Sequence, residues 1–262
     1  MGKKALMVVS FGTSYEVALP AIENIENRCK EAYPDHDFYR AWTSGMIIRK
    51  LKRTKGQIIF NPEQVLEKLV EEGYEELLCQ PTHVINGIEY EKMMSMLIKY
   101  EGKIPLIKIG KPLFSSENDY RRVCQIMMDQ LKSPLGEREA FVLMGHGSGH
   151  YANGAYSQFE NTLRGLGYEN VYVSTVEGYP DINYIMGRLK KKEVTKAVLM
   201  PMLIVAGDHA RNDLAGDGED SWTSILNSNG IETEVILKGI GEIDEIAQIF
   251  VEHLSEAKEI EQ

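Results

Sequence analysis

The pattern of apolar runs is the tightest constraint on how this chain can fold. Short β-rich stretches, KALMVVSFG (4–12), DFYRAWT (37–43), EELLCQPT (75–82), IPLIKIG (104–110), EAFVLMGH (139–146), NVYVSTVEG (170–178), KAVLMPML (196–203) and TEVILKG (233–239), alternate with longer segments of helical period. Uninterrupted apolar strands need cover on both faces, and strands separated by helices pair in parallel. The expected class is therefore α/β, with mainly parallel sheets flanked by helices. Helix starts carry their own marks. Asn61-Pro62-Glu63-Gln64 places an N-cap, a first-turn proline and a capping glutamine before VLEKLVEEG, and Ser116-Glu117-Asn118-Asp119 opens YRRVCQIMMDQL in a similar way. The tail EIDEIAQIFVEHLSEAKEIEQ (242–262) is expected to be helical and able to pack back on the first lobe.

The two halves echo each other. LMVVSFGTS and AFVLMGHGSG are both apolar strands breaking at a glycine-bearing tip, and LLCQPTHVINGIEYEKM aligns with VLMPMLIVAGDHARNDL when Pro81 is set on Pro201 and Gly87 on Gly207. That alignment puts Glu89 opposite His209. The expected organisation is two related lobes, 1–135 and 136–262, with the break near KSPLGERE (132–139).

In open α/β sheets, ligands collect beyond the carboxyl ends of strands. His146 follows FVLMG, Glu177 follows VYVSTV and His209 follows VLMPMLIVAGD. Two imidazoles and a carboxylate form a borderline donor set suited to Co, Ni, Fe or Zn, with coordination positions left open. Gly145, Gly147 and Gly149 would let a large ligand approach the backbone. Each residue alone has a plainer reading, as a hydrogen-bonded loop histidine, a solvated glutamate or a helix-start residue. Their shared placement at strand ends is the argument. His150 is expected to support the metal ligands from behind or to face substrate, not to ligate metal itself. GHGSGH fits neither a dinucleotide fingerprint, which needs glycine where His150 stands, nor a nucleophile elbow around Ser148. The segment RAWTSGMIIRKLKRTKG (40–56) gathers Arg40, Arg49, Lys50, Lys52, Arg53 and Lys55, which read either as a solvated helix face or as a holder of an anionic substrate.

Composition closes off other classes. A net charge of −10 argues against nucleic acid, and no apolar stretch approaches membrane-spanning length. Cys29, Cys79 and Cys124 are odd in number and form no C-x-x-C, so neither a disulfide framework nor a thiolate metal site is expected, and a reducing cytoplasm is the simplest home.

The motifs KKALMVVSFGTSY, AWTSGMIIRKL, THVINGIEYEKM, MGHGSGH, VEGYPD and LMPMLIVAGDHARNDLAGD together resemble the anaerobic cobalt chelatases of cobalamin biosynthesis, the sirohydrochlorin cobaltochelatases of the long, two-lobed type. The resemblance implies two related chelatase-like lobes around an active-site cleft, and insertion of Co2+ into sirohydrochlorin or precorrin-2. It implies that His146, Glu177 and His209 bind the cobalt, and that His146 or Glu89 accepts a proton. Ser10, Gly12, Thr13, Arg49 and His150 become the candidate tetrapyrrole contacts. Ni2+, Fe2+ or Zn2+ would also be accepted in vitro, no organic cofactor is expected, and a homo-oligomer is compatible with the pattern. Some relatives carry an export signal, whereas this chain begins at its first strand, which favours a cytoplasmic, biosynthetic role. The alternatives are an iron or nickel chelatase, or a non-catalytic binder of metal or tetrapyrrole.

Overall fold

The computed structural model describes residues 2–260. The chain forms two compact units. One holds the residues up to Ser115 together with those from Gly241 onward, and the other holds Ser116–Ile240.

The first unit contains β1 (Lys3–Ser10), α1 (Leu19–Ala32), β2 (Asp37–Trp42), α2 (Gly45–Lys55), α3 (Pro62–Glu71), β3 (Tyr74–Pro81), α4 (Ile88–Ile98) and β4 (Leu106–Ile109). Its sheet order is β2-β1-β3-β4, all parallel. Alternate residues of β1 explain the double cover. Ala5, Met7 and Val9 pack with Val65, Leu66 and Leu69 of α3 and Met93 and Leu97 of α4. Leu6 and Val8, pointing the other way, are equally buried. The cap expected for α3 is present as a full capping box between Asn61 and Gln64.

The second unit contains α5 (Glu117–Met128), β5 (Glu139–Gly145), α6 (Gly154–Gly165), β6 (Val171–Thr175), α7 (Ile182–Lys191), β7 (Lys196–Pro201), α8 (Trp222–Ser228) and β8 (Glu232–Val235). Its sheet order, β6-β5-β7-β8, is again wholly parallel and repeats the connectivity of the first. Ala140, Val142 and Met144 of β5 pack with Ile182, Ile185, Met186 and Leu189 of α7.

The expected lobes, 1–135 and 136–262, differ from this division at both ends. α5 belongs with the second unit because it packs against α6, with Cys124 Sγ 3.9 Å from the Phe159 carbonyl oxygen. At the other end, α9 (Asp244–Ser255) packs on α1 in the first unit, where Asn24 donates to the Gly241 carbonyl at 3.0 Å and Arg28 pairs with Asp244 at 2.9 Å. The expected helix over the whole tail stops at Ser255. Beyond it β9 (Lys258–Glu259) adds antiparallel to the edge of β4. Ile260 is buried there and its amide donates to the Ile107 carbonyl at 3.1 Å, so burial and edge pairing override the local helix propensity. Among the described residues no helix is long and apolar enough to cross a membrane.

Candidate metal centre

β5 delivers His146 to the end of the second sheet. Gly145 must lack a side chain, because a Cβ there would lie 2.3 Å from the Tyr156 ring. Gly147 takes φ +83°, and a Cβ on it would sit 2.7 Å from both the Gly178 amide nitrogen and Thr175 Cβ. The close approach draws the loop after β5 onto the loop after β6. Val176 N–H donates to the Gly145 carbonyl at 3.1 Å and Glu177 N–H to the His146 carbonyl at 2.8 Å. Asn153 clasps the same two loops: its Oδ1 accepts from Ser148 N–H at 3.0 Å, and its Nδ2 donates to the Tyr179 carbonyl at 2.6 Å.

His209 arrives differently. It precedes a wide helical turn, Ala210–Leu214, closed by an i+5 bond from Ala215 N–H to the Ala210 carbonyl at 3.3 Å. That turn sets Asp213 beneath the ring, with its Oδ2 2.5 Å from His209 Nδ1. A carboxylate only accepts, so the proton sits on Nδ1 and Nε2 keeps its lone pair. In His146, Nδ1 donates to the Gly147 carbonyl at 3.0 Å, which likewise leaves Nε2 as the lone-pair nitrogen.

His146, Glu177 and His209 each offer one ligand atom, and these atoms lie within 4.8 Å of one another. The two imidazoles meet edge to face with centroids 4.9 Å apart, and His146 Nδ1 is 3.9 Å from Glu177 Oε2. All three side chains are partly open to solvent. Such a site can take a borderline divalent ion from solution, leave coordination positions vacant for nitrogen donors, and release the ion again.

The remaining expected residues have surroundings of their own. His150 caps the turn after it, its Nδ1 accepting from Ala152 N–H at 3.3 Å while its ring lies 4.0 Å from that of Tyr151. Glu89 is on the first turn of α4 in the first unit and pairs with Lys92 at 2.7 Å. Ser10, expected to touch a tetrapyrrole, is buried and accepts from Thr82 Oγ1 at 3.0 Å. Thr13 is also buried, its hydroxyl accepting from Tyr15 N–H at 3.2 Å. Gly12 serves packing, since a Cβ there would lie 2.6 Å from the Trp42 ring. Of the basic segment, Arg40 is engaged inside the first unit by Glu26 at 2.5 Å and Glu23 at 3.5 Å. Burial pushes the Glu26 carboxyl up despite that partner. Arg49 stays at the exposed start of α2.

Sequence reasoning missed Asp213 and Asn153. The signal for Asp213 was the four-residue step from His209 in HARND, which puts both side chains on one helical face. Asn153 has no comparable signal, because its partners lie in two different loops.

The sequence matches the family described as cobalt chelatase (CbiK) over residues 4–259. It is 41% identical over 256 residues to a sirohydrochlorin cobaltochelatase of Salmonella typhimurium, covering 97% of this chain and 96% of that one. It is 27% identical over 261 residues to the sirohydrochlorin cobaltochelatase CbiKC of Nitratidesulfovibrio vulgaris, covering 98% and 91%. Among solved structures, SirB from Bacillus subtilis with Fe3+ superposes with a TM-score of 0.64 at 16% identity, over 97% of this chain and 95% of that one, which is a likeness of fold.

Proposed function

Because this chain belongs to the cobalt chelatase family, we infer that it is a metal chelatase that inserts Co2+ into sirohydrochlorin, a step of anaerobic cobalamin biosynthesis. The observation that carries the reading is the convergence of His146, Glu177 and His209 donor atoms within 4.8 Å at one sheet end of such a chain. Insertion requires a cation held weakly on one side of a flat ring and a base for the inner N–H protons. Two neutral imidazole nitrogens and a carboxylate hold Co2+ while vacant positions accept pyrrole nitrogens one after another, so the ion passes from protein to ring by ligand exchange. Asp213 and the Gly147 carbonyl keep the imidazole lone pairs aimed at the ion as it leaves. His146 takes the released proton.

The donor set does not discriminate sharply among divalent metals, so Ni2+, Fe2+ and Zn2+ are expected to enter at lower or comparable rates in vitro, with no organic cofactor required. Cys29, Cys79 and Cys124 are all free and buried, which supports a cytoplasmic location.

The test is multiple turnover: protein, Co2+ and sirohydrochlorin, followed by absorbance of the metallated ring. His146→Ala and His209→Ala should each reduce the rate at least ~100-fold with an unchanged thermal midpoint, since neither side chain belongs to the core. Wild-type rates in both variants would remove the triad from the reaction. A single stoichiometric binding event without turnover would make the protein a carrier.

A further inference from the structure

The second unit carries a cationic cavity at the end of β6 opposite the metal centre. β6 is the outer strand of its sheet, and α6 and α7 both pack on it. Glu177 follows the carboxyl end of this strand, whereas Glu169 and Tyr172 stand at its amino end. There, with Arg164 from the last turn of α6, Arg188 and Lys191 from the last turn of α7, and Lys192 at the cap of α7, they line a cavity of about 380 Å³. That volume is ordinary for a small-molecule site, for which the range is roughly 300–1,000 Å³.

The cations here are arranged as well as gathered. Glu160 Oε2 accepts from Val173 N–H at 2.8 Å, which covers the free edge of β6, and Glu160 Oε1 lies 2.7 Å from Nη2 of both Arg164 and Arg188. One carboxylate thus anchors two guanidiniums. Arg188 is held further by aromatic rings, its Cζ lying 4.6 Å from the centroid of Tyr172 and 5.7 Å from that of Tyr184. Lys191 and Lys192 are exposed and, among the described residues, have no hydrogen-bond or ion-pair partner. Setting Glu160 and Glu169 against Arg164, Arg188, Lys191 and Lys192 leaves two positive charges at the cavity, in a chain whose net charge is −10.

Basic residues at a helix C-terminus ordinarily answer its last carbonyls. In both helices backbone amides have already taken them. At the end of α7, Lys192 N–H donates to the Arg188 carbonyl at 3.2 Å, Glu193 N–H to Lys190 at 3.0 Å and Val194 N–H to Leu189 at 3.1 Å. At the end of α6, Leu166 N–H donates to the Thr162 carbonyl at 3.0 Å, Gly167 N–H to Arg164 at 2.9 Å and Tyr168 N–H to Leu163 at 3.0 Å. The surplus side-chain charge is therefore open to a ligand.

We propose that this cavity binds a phosphate group, free or carried on a small molecule, with the Arg164 and Arg188 guanidiniums and the Lys191 and Lys192 ammoniums receiving its oxygens. A phosphate carries about −1.5 to −2 charges at pH 7, so a single group matches the surplus, whereas a single carboxylate would leave half of it unmet. Arg188, already fixed by Glu160 and two tyrosine rings, gives up little freedom on binding. The site is separate from the metal centre and independent of the chelatase reading, since none of its residues serves the metal ligands.

Inorganic phosphate, pyrophosphate and ATP are titrated calorimetrically into the metal-free full-length chain at constant ionic strength, with citrate as the polycarboxylate comparison. Saturable one-site binding of at least one phosphate compound, tighter than citrate, is expected, and the tightest of the three identifies the source of the group. Lys191→Glu with Lys192→Glu should weaken that binding at least ~tenfold, while Lys190→Glu, in the same turn but outside the lining, should stay within about twofold. The comparison separates a built site from a general loss of positive charge. Lys191→Arg with Lys192→Arg should keep the affinity within about threefold, because the charge is retained. No saturable binding of any phosphate compound at ~10 mM would overturn the site, as would tighter binding of citrate or an equal loss in Lys190→Glu.

Discussion

Replacing Asp213 tests whether the protein aims His209, a proposed metal ligand. The carboxylate lies 2.5 Å from His209 Nδ1, four residues away on one helical turn, and among the described residues no other group holds that nitrogen. In Asp213→Ala the imidazole loses both its fixed tautomer and its rotational restraint, so fewer molecules present the Nε2 lone pair to an incoming ion. Loss of such a supporting carboxylate costs about 10–100-fold in metal affinity, or roughly 1.4–2.7 kcal/mol. With the His209 and Asp213 side chains 33% and 42% exposed, solvent screens the contact, and the expected effect is at the lower end, about tenfold. Asp213→Asn keeps an acceptor oxygen but loses the charge, so it should fall between the alanine variant and wild type. The assay is a Co2+ titration followed by d–d absorbance, alongside thermal unfolding without metal. A Co2+ Kd for Asp213→Ala within about twofold of wild type would refute the reasoning, as would a drop in apo-protein stability as large as the loss in binding.

Gly147→Ala forces a Cβ to 2.7 Å from the Gly178 amide at a left-handed φ, so it should separate the His146 and Glu177 loops and lower Co2+ affinity at least ~tenfold; unchanged affinity would show that the loops need not touch. Glu160 is buried, pairs with Arg164 and Arg188 at 2.7 Å each, and accepts from Val173 N–H at 2.8 Å. Glu160→Ala should cost about 3 kcal/mol in urea unfolding, because it strands a buried amide and an arginine, whereas a loss below about 1 kcal/mol would mean that the arginines find other partners. Both ring nitrogens of His83 are buried without hydrogen-bond partners among the described residues, and burial lowers its pKa from 6.5 to about 4 against the opposing charge of Glu89. The unfolded chain therefore binds a proton that the folded chain refuses: this contribution is full above pH 6.5 and is lost as pH falls toward 4, by up to about 3 kcal/mol, and His83→Phe should flatten that part of the stability profile.

The strands were legible because burial on both faces writes itself as continuous apolar sequence, which needs no knowledge of register. β9 was not legible, because AKEIEQ is locally helix-forming and only the space beside Ile107 makes extension preferable for Ile260. The division between units was obscured for a similar reason. α5 looks like any amphipathic helix until its partner, α6, is known. The clustering of the candidate donors was legible since glycine-rich tips and strand ends restrict where a polar residue can stand, and His146, Glu177 and His209 all stand there.

Side-chain direction within a tip was a different matter. At SFGTS the polar Ser10 and Thr13 invited a role in ligand contact, yet Gly12, with φ +96° and no room for a Cβ beside Trp42, turns the chain so that both are buried and Phe11 faces water. The equivalent turn at Gly147 accompanies a tip that presents His146. One backbone design thus presents the residue before its left-handed glycine, whatever that residue is. At that position the second unit carries an imidazole and the first a phenyl ring.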